Sequence, residues 1–360
     1  MSTLRVILAS PINILFAAAP ISWLLEFVAP GSPWIFLTAA VSLVPLAGLI
    51  GLGTEHLAHR SGPALGGLLN ATFGNAAELI IAVVALHSGH IALVKASITG
   101  SIVGNLLLVL GLSFFAGGLG RRSQKFHRTA ATNTAAMLFL AVVALVMPAV
   151  FDLSLYGSLA PRPPAIDRLS LWSALVLIGA YGGSLIYAFT AQRDLFRPDN
   201  VIPGKTNLSP GAATGVLAVA TILTTVQAEI LVGALQPALL RFGFTEMFVG
   251  VIVIAVIGNA AEHYSAIVAA RRDQMTLAVE IAVGSSAQIA LLVAPAVVLY
   301  SIAIGHPMSL LFNAFEITAI ALSVLATVIV VVDGESNWVE GLQLMAIYLI
   351  LAAAFYFVPA

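Results

Sequence analysis

Apolar stretches of about twenty residues follow one another along almost the whole chain, with only short gaps between them. Of the 360 residues, 60% are hydrophobic and 9% are charged, and the mean hydropathy is +1.04. A soluble domain carries roughly 25% charged residues, so the composition indicates an integral membrane protein. No apolar run alternates as a barrel strand does, and lipid excludes irregular backbone, so the spans are predicted to be helices.

Charged residues, prolines and glycines divide the apolar sequence into eleven predicted spans. The run after Arg5 could be read as a signal peptide, but we expect it to form the first membrane helix. The predicted spans are 6–29, 33–58, 63–88, 90–119, 127–149, 169–192, 210–233, 246–270, 275–305, 309–332 and 338–358. The predicted fold class is therefore an all-α integral membrane protein with 11 transmembrane helices.

The distribution of lysine and arginine predicts which loops face the cytoplasm. With the N-terminus inside, the predicted outer loops hold only Arg162, Arg168 and Arg241, and Lys95 lies within a span. The other basic residues all fall in predicted cytoplasmic segments: Arg5, Arg60, Arg121, Arg122, Lys125, Arg128, Arg193, Arg197, Lys205, Arg271 and Arg272. An odd number of helices then places the C-terminus outside.

The two halves of the chain repeat each other at a large offset. An offset of 184 residues superimposes Gly74–Glu78 on Gly258–Glu262, and an offset of 174 superimposes Glu55 on Glu229. Because each repeat would hold five helices, an odd number, the copies are predicted to be inverted, as in transporters with a site near the membrane midplane. The predicted parts are an N-terminal helix (1–32), a first five-helix repeat (33–192), a cytoplasmic linker (193–209) and a second five-helix repeat (210–360).

Both copies of the string Gly-Asn-Ala-Ala-Glu lie inside predicted spans, which places Glu78 and Glu262 at bilayer depth. Acids at that depth are costly and usually mark an ion pathway. The Gly-Asn step lowers helix propensity and frees backbone carbonyls, which can join the carboxylates around an ion. We therefore predict a cation site to which both strings contribute, with Gly74, Asn75, Gly258 and Asn259 as further ligands. The alternative is that glycine and alanine only permit close packing, with each glutamate hydrogen-bonded to a neighbour.

The span after each string carries polar side chains at helical spacing. Ser101 and Asn105 are four residues apart, and Ser285 and Gln288 are three apart, so each pair shares a helix face. Their hydroxyl and amide oxygens would complete a cation shell. The alternative for these side chains is hydrogen bonding between helices, which is common in membranes.

All the predicted ligands are oxygens, and this set favours a hard cation. Calcium takes roughly six to eight oxygens, whereas zinc or copper calls for histidine or cysteine clusters, and the chain has no cysteine. Two carboxylates neutralise one divalent ion, so calcium fits best and manganese is the alternative. No cofactor is expected, and a net charge of −1 gives no indication of a nucleic-acid partner.

Further polar residues are candidates for a proton pathway or gate. Glu55 and Glu229 lie near opposite membrane faces and are interpreted as mouth or proton-relay acids, or else as interfacial carboxylates that reach water. His263 would tune the proton affinity of Glu262, or else pack as a neutral side chain. Two intramembrane acids lack a matched partner at either offset, Glu280 and Glu316.

Taken together, these motifs resemble the calcium/proton exchanger family within the calcium/cation antiporter superfamily. The resemblance rests on both Gly-Asn-Ala-Ala-Glu strings and on the segments 94–107 and 284–290, which occur in the family's order and spacing. It covers the chain from about Gly53 to the C-terminus. Eukaryotic members carry an acidic segment between the halves, whereas the linker 193–209 holds three basic and two acidic residues, so a prokaryotic plasma membrane is the expected location.

The resemblance implies a secondary active antiporter, not an enzyme, that exports Ca²⁺ from the cytoplasm in exchange for H⁺ by alternating access. It implies Glu78 and Glu262 as the shared calcium and proton carboxylates, with Glu55 and Glu229 as flanking acids. The expected partners are Ca²⁺, H⁺ and the lipid bilayer. The nearest alternatives are a sodium/calcium exchanger and a manganese/proton antiporter of the same superfamily. An intramembrane metal enzyme using Glu262 with His263, and a passive cation channel, are more distant alternatives.

Overall fold

The computed structural model describes residues 11–157, 164–191 and 208–358, and most of them are helical, as predicted. By length and composition, eight helices among the described residues can cross a membrane, or nine if the bent pair Leu235–Phe242 and Glu246–Gly258 forms one span. The count of 11 spans therefore stays a prediction. Five of the basic residues used to predict the topology, at positions 5, 162, 193, 197 and 205, lie outside the described residues, as does most of the linker 193–209.

The helices follow the predicted spans, with interruptions inside several of them. The α-helices are Ala18–Val28, Pro33–Arg60, Gly62–Phe73, Ala76–His87, Ile91–Val103, Leu110–Gly118, Arg128–Tyr156, Pro164–Ala191, Pro210–Gly233, Leu235–Phe242, Glu246–Phe248, Ala255–Gly258, Ala260–Arg271, Met275–Gln288, Ala294–Ala303, Ala314–Val331 and Trp338–Phe357. A 3₁₀ segment, Pro11–Ala17, precedes the first of these. Three π-helical segments interrupt longer helices, at Gly104–Val109, Val249–Ile254 and Ile289–Val293. Two short strands, Gln124–Lys125 and Glu335–Ser336, pair antiparallel, with Gln124 opposite Ser336.

The helix predicted from residue 309 begins five residues later, at Ala314. Asn313 is its N-cap, because the Asn313 side chain accepts a hydrogen bond from the Glu316 backbone N–H, and the Glu316 carboxylate accepts one from the Asn313 N–H. This reciprocal capping box sets the start of a helix more strongly than hydropathy does. Glu316 therefore lies in the first turn of the helix rather than in its middle.

The chain forms two compact units that each combine segments from both halves. The first unit is Met1–Ser88, Gly182–Phe244 and Ile257–Ala261, and the second is Gly89–Tyr181, Thr245–Val256 and Glu262–Ala360. These units are defined by packing rather than by repetition, so the repeat boundaries predicted from the sequence stay a prediction.

In the first unit, the helices Pro33–Arg60 and Pro210–Gly233 pack against each other in antiparallel directions. Near the end of the first helix, a Cβ on Gly53 would lie 3.0 Å from the Cβ of Leu217, in the first half of the second helix. At the other end, the rings of Trp34 and Phe242 meet edge to face, with centroids 6.1 Å apart. The two helices belong to different predicted repeats, and their opposite directions agree with an inverted arrangement.

In the second unit, the helix Ile91–Val103 packs closely on the π-helical segment Val249–Ile254. Gly100 lies directly on the backbone carbonyl of Val251, and Gly250 approaches Ala96 in the same way. Small residues allow two helix backbones to come this close in a membrane. The helix that carries Ser101 is therefore held by backbone contact as well as by side chains.

Loops of the second unit meet in two groups. In one group, the loop after Gly118 contacts two other loops. Gln124 Nε2 donates a hydrogen bond to Asp273 Oδ1 at 2.7 Å, and the strand Gln124–Lys125 pairs with the strand Glu335–Ser336. The other joins His90 Nδ1 to Glu246 Oε1 at 2.8 Å, and the Leu310 N–H to Ser170 Oγ at 2.9 Å. Within each group, all the loops are predicted to lie on the same side of the membrane.

The contact at Gly100 generates a test of this packing. Replacing Gly100 by alanine should destabilise the protein by about 1–3 kcal/mol, since the new methyl group would overlap a backbone carbonyl that cannot rotate away. Thermal unfolding of the detergent-purified protein measures the effect. Gly104→Ala is the matched control, because a Cβ there meets nothing within 4 Å. Equal melting temperatures for the two variants would contradict the packing described.

Candidate functional site

Both Gly-Asn-Ala-Ala-Glu strings interrupt a helix, as their sequence predicts. Gly74 and Asn75 form a turn between two helices, and Asn259 alone separates Ala255–Gly258 from Ala260–Arg271. Each interruption starts a new helix, and Glu78 and Glu262 lie in its first turn. The first turn of a helix carries unpaired backbone N–H groups and the positive end of the helix dipole, which favour a carboxylate or another anion.

In the first unit, the carboxylate of the first string lies against the second string. A Cβ on Gly258 would be 3.4 Å from Glu78 Cγ and 3.6 Å from Glu78 Oε1. Asn75 and Asn259 are both buried, with 1% of each residue exposed. The structure thus brings Glu78 together with Gly258 and buries the two asparagines predicted to be ligands.

In the second unit, the two predicted ligand helices cross each other. Asn105 Nδ2 donates a hydrogen bond to Ser285 Oγ at 3.2 Å, and Ser286 Oγ donates one to the Ile102 carbonyl oxygen at 3.4 Å. Ser286 and Ile102 are 184 residues apart, which is the repeat offset, so the crossing joins equivalent positions of the two halves. The first contact is the interhelical hydrogen bond stated as the alternative for these side chains, and their role as ligands stays a prediction.

The same two helices change to π-helical geometry just beyond the crossing. The segments Gly104–Val109 and Ile289–Val293 occupy nearly equivalent positions at the offset of 184. π-Helical turns displace the regular backbone hydrogen bonds and occur frequently at functional sites. Gln288 comes directly before the second segment and is hydrogen-bonded to Tyr181.

Glu262 belongs to the second unit and is half-buried. Its Oε2 atom is buried and receives no hydrogen bond from any residue that the structure describes. A buried carboxylate oxygen without a donor costs free energy unless a proton or a cation neutralises it. His263, the next residue, is also half-buried.

The acids predicted to flank the site lie at helix ends. Glu55 is near the C-terminal end of Pro33–Arg60 and Glu229 near that of Pro210–Gly233, so the antiparallel packing separates them to opposite ends of the pair. Both side chains are exposed. Glu229 also lines a pocket together with Glu26. Glu280, the third predicted pathway acid, is exposed on its helix.

No group of three or more histidine, aspartate or glutamate side chains within residues 11–157, 164–191 and 208–358 is arranged to hold a metal ion. Neutral oxygens are the other ligands that the sequence predicts for the cation. Hard cations accept such oxygens readily.

Sequence reasoning missed one polar cluster of the second unit. Lys95 contacts the loop before Ala314 and interacts electrostatically with Glu316, and Thr99 donates a hydrogen bond to Glu316. Two signals could have pointed to it. Lys95 is the one basic residue well inside a predicted span, and Asn313 with Glu316 has the spacing of a capping box.

These observations define the class of protein: a helical membrane protein with two interrupted helices, each of which carries a glutamate in the first turn after its interruption. That combination is typical of secondary transporters. The chain belongs to the sodium/calcium exchanger family, since the family described as "Sodium/calcium exchanger protein" matches residues 31–190 and 212–357.

Relatives of known function match almost the whole chain. The Ca(2+)/H(+) antiporter of Synechocystis is 41% identical over 96% of this chain and 97% of its own length. The Ca(2+)/H(+) antiporter ChaA of Bacillus subtilis is 40% identical over 94% and 97%. The solved structure of native YfkE superimposes with a TM-score of 0.83 at 39% identity, covering 96% of this chain and all of that one. These matches confirm the resemblance recognised in the motifs.

The contact between Glu78 and Gly258 leads to a prediction about cation binding. A methyl group on Gly258 would touch the Glu78 side chain without a clash, so Gly258→Ala should fold and yet cover one side of the carboxylate. We expect calcium binding by the purified protein to weaken by about tenfold, equivalent to about 1.4 kcal/mol. Gly51→Ala is the control, because its methyl group would meet open space. Unchanged affinity in Gly258→Ala would mean that a cation does not use this side of Glu78.

Proposed function

We propose that this protein is a secondary active antiporter that exports Ca²⁺ from the cytoplasm in exchange for H⁺ by alternating access. Ca²⁺ and protons compete for Glu78 and Glu262. Asn75, Asn259, Ser101, Asn105, Ser285 and Gln288 supply neutral oxygens, with the backbone around Gly74 and Gly258. Relatives at about 40% identity that are named Ca(2+)/H(+) antiporters support the choice of ions.

The observation that carries the proposal is the position of Glu78 beside Gly258. The carboxylate of the first string lies on the backbone of the second string, at the glycine with which that string begins. Glu262 is the last residue of the same string. A cation at Glu78 would therefore be next to the chain segment that carries the second carboxylate.

The coupling follows from the cost of charge in a low-dielectric environment. When both glutamates are ionised, one divalent cation neutralises them, and when the cation leaves, protons take its place. Each of the two neutral states can rearrange without an unpaired buried charge. Calcium and protons exclude each other because they bind to the same two carboxylates. This competition couples the export of calcium to the entry of protons.

Glutamine substitutions test the shared site. Glu78→Gln or Glu262→Gln keeps the side-chain volume but removes the charge, so each should abolish proton-driven ⁴⁵Ca²⁺ uptake into inverted membrane vesicles. Glu335→Gln, a change of the same kind at an exposed ion pair with Lys125, should leave uptake near the unsubstituted level. If both Glu78→Gln and Glu262→Gln kept near-normal uptake, the shared site would be refuted.

The counter-ion has a specific rival, because the family name includes sodium. Calcium uptake that is driven by an imposed Na⁺ gradient and is independent of a pH gradient would identify a sodium/calcium exchanger instead. Competition by Mn²⁺ in the same vesicles tests the manganese alternative.

We also propose that the protein lies in a prokaryotic plasma membrane with its N-terminus in the cytoplasm. The absence of cysteine makes this testable without background labelling. A cysteine at Ser123, which is exposed in one loop group, should react with a membrane-impermeant maleimide only in inverted vesicles. A cysteine at His306, exposed near the other group, should react only in right-side-out vesicles. The reverse pattern would invert the proposed orientation.

A further inference from the structure

Lys95 is the one basic residue that lies well inside a predicted span rather than at its end, and no step of the proposed exchange uses it. Its Nζ donates a hydrogen bond to the Leu311 carbonyl oxygen at 2.8 Å and lies 3.5 Å from Ser309 Oγ. The same atom is 5.9 Å from the centroid of the Phe312 ring, within the range of a cation–π interaction. An intramembrane lysine with this many partners is held in one position.

Glu316 is the first of two acids that act electrostatically on this lysine. It is 3% exposed and interacts electrostatically with Lys95, as does Asp167. The two carboxylate oxygens of Glu316 have different partners. Oε2 accepts the capping hydrogen bond from the Asn313 N–H at 3.0 Å, and Oε1 accepts one from Thr99 Oγ1 at 3.5 Å. Glu316 thus joins the start of its own helix to the helix Ile91–Val103.

This junction lies behind the predicted cation ligands. Lys95 and Thr99 are four residues apart and share a face of their helix. Ser101 comes six residues after Lys95, so it points about 240° around the helix axis. On that other side, Asn105 contacts Ser285, while Gly100 rests on the backbone of the segment Val249–Ile254. The charged cluster therefore contacts the ligand helix on a different face from the one that carries Ser101.

We infer that Lys95 is a positioning residue for cation transport: with Glu316 it fixes the helix that presents Ser101 and Asn105 to the transported ion. This inference rests on the proposed function. Removing Lys95 would leave Glu316 buried without its counter-charge, and removing Glu316 would leave Lys95 with only the exposed Asp167. A buried charge in that position is relieved only by moving the helix or admitting water. Removing both charges together leaves no lone charge to relieve.

A double-substitution series tests the inference. In folded protein, Lys95→Met and Glu316→Gln should each raise the KM for Ca²⁺ by on the order of tenfold, while Vmax per folded molecule changes less. The combined variant should recover most of the lost affinity, because it contains no lone buried charge. Lys95→Arg keeps the charge and should stay closer to the unsubstituted KM than Lys95→Met does. A purely structural role would lower the amount of folded protein but leave the KM of the folded fraction unchanged.

Two further variants keep the test decisive. Lys125→Met makes the same change at an exposed ion pair and should not alter the KM. Thr99→Val keeps both charges and nearly the same volume, and should raise the KM by about threefold through loss of one hydrogen bond. If Lys95→Met fails to fold, Thr99→Val and the combined variant decide the result.

The inference is overturned if the KM stays unchanged in the folded single variants and in Thr99→Val, or if the combined variant is as impaired as the two single variants added together. Failure of the proposed function gives a different result, since the unsubstituted protein would then show no proton-driven calcium uptake. In that case the same KM series is run with the gradient that does drive uptake.

Discussion

A carboxylate cannot stay ionised inside a lipid bilayer unless something neutralises it, and the arrangement of this protein depends on that constraint. Both interrupted helices place a glutamate in a first turn, where backbone N–H groups and the helix dipole partly compensate the charge. The compensation is incomplete for Glu262, whose buried Oε2 receives no hydrogen bond from the residues described. A proton or a cation at this oxygen would lower the cost of burying it.

Inverted repetition explains where the contacts occur. Two helices related by inversion about an axis in the membrane plane cross where their equivalent residues coincide. The hydrogen bond from Ser286 to Ile102, at the repeat offset of 184 residues, marks such a crossing in the second unit. The helices that carry Glu55 and Glu229, which coincide at the offset of 174, run antiparallel in the first unit, so the two acids lie at opposite ends of the pair.

Local features were predictable from the sequence, and long-range pairing was not. The Gly-Asn steps predicted both helix interruptions, because the low helix propensity of these residues acts within one turn. The helix start at Ala314 was not predicted, because hydropathy does not detect a capping box. The sequence does contain the residues of one, Asn313 and Glu316. The contact between Thr99 and Glu316 spans 217 residues, and no repeat offset relates the two positions. Only packing could bring them together.

The intramembrane charges thus fall into two kinds that differ in how they are neutralised. Glu316 has its counter-charge within the chain, in Lys95, and both of its oxygens accept hydrogen bonds, so an exchangeable ion has nothing to replace. Glu262 has a buried oxygen that receives no hydrogen bond from any described residue, so a proton or a cation there would lower the cost of its burial. In the proposed exchange, a charge pair fixed within the chain would therefore hold the helix that carries Ser101 while Glu78 and Glu262 exchange a cation for protons.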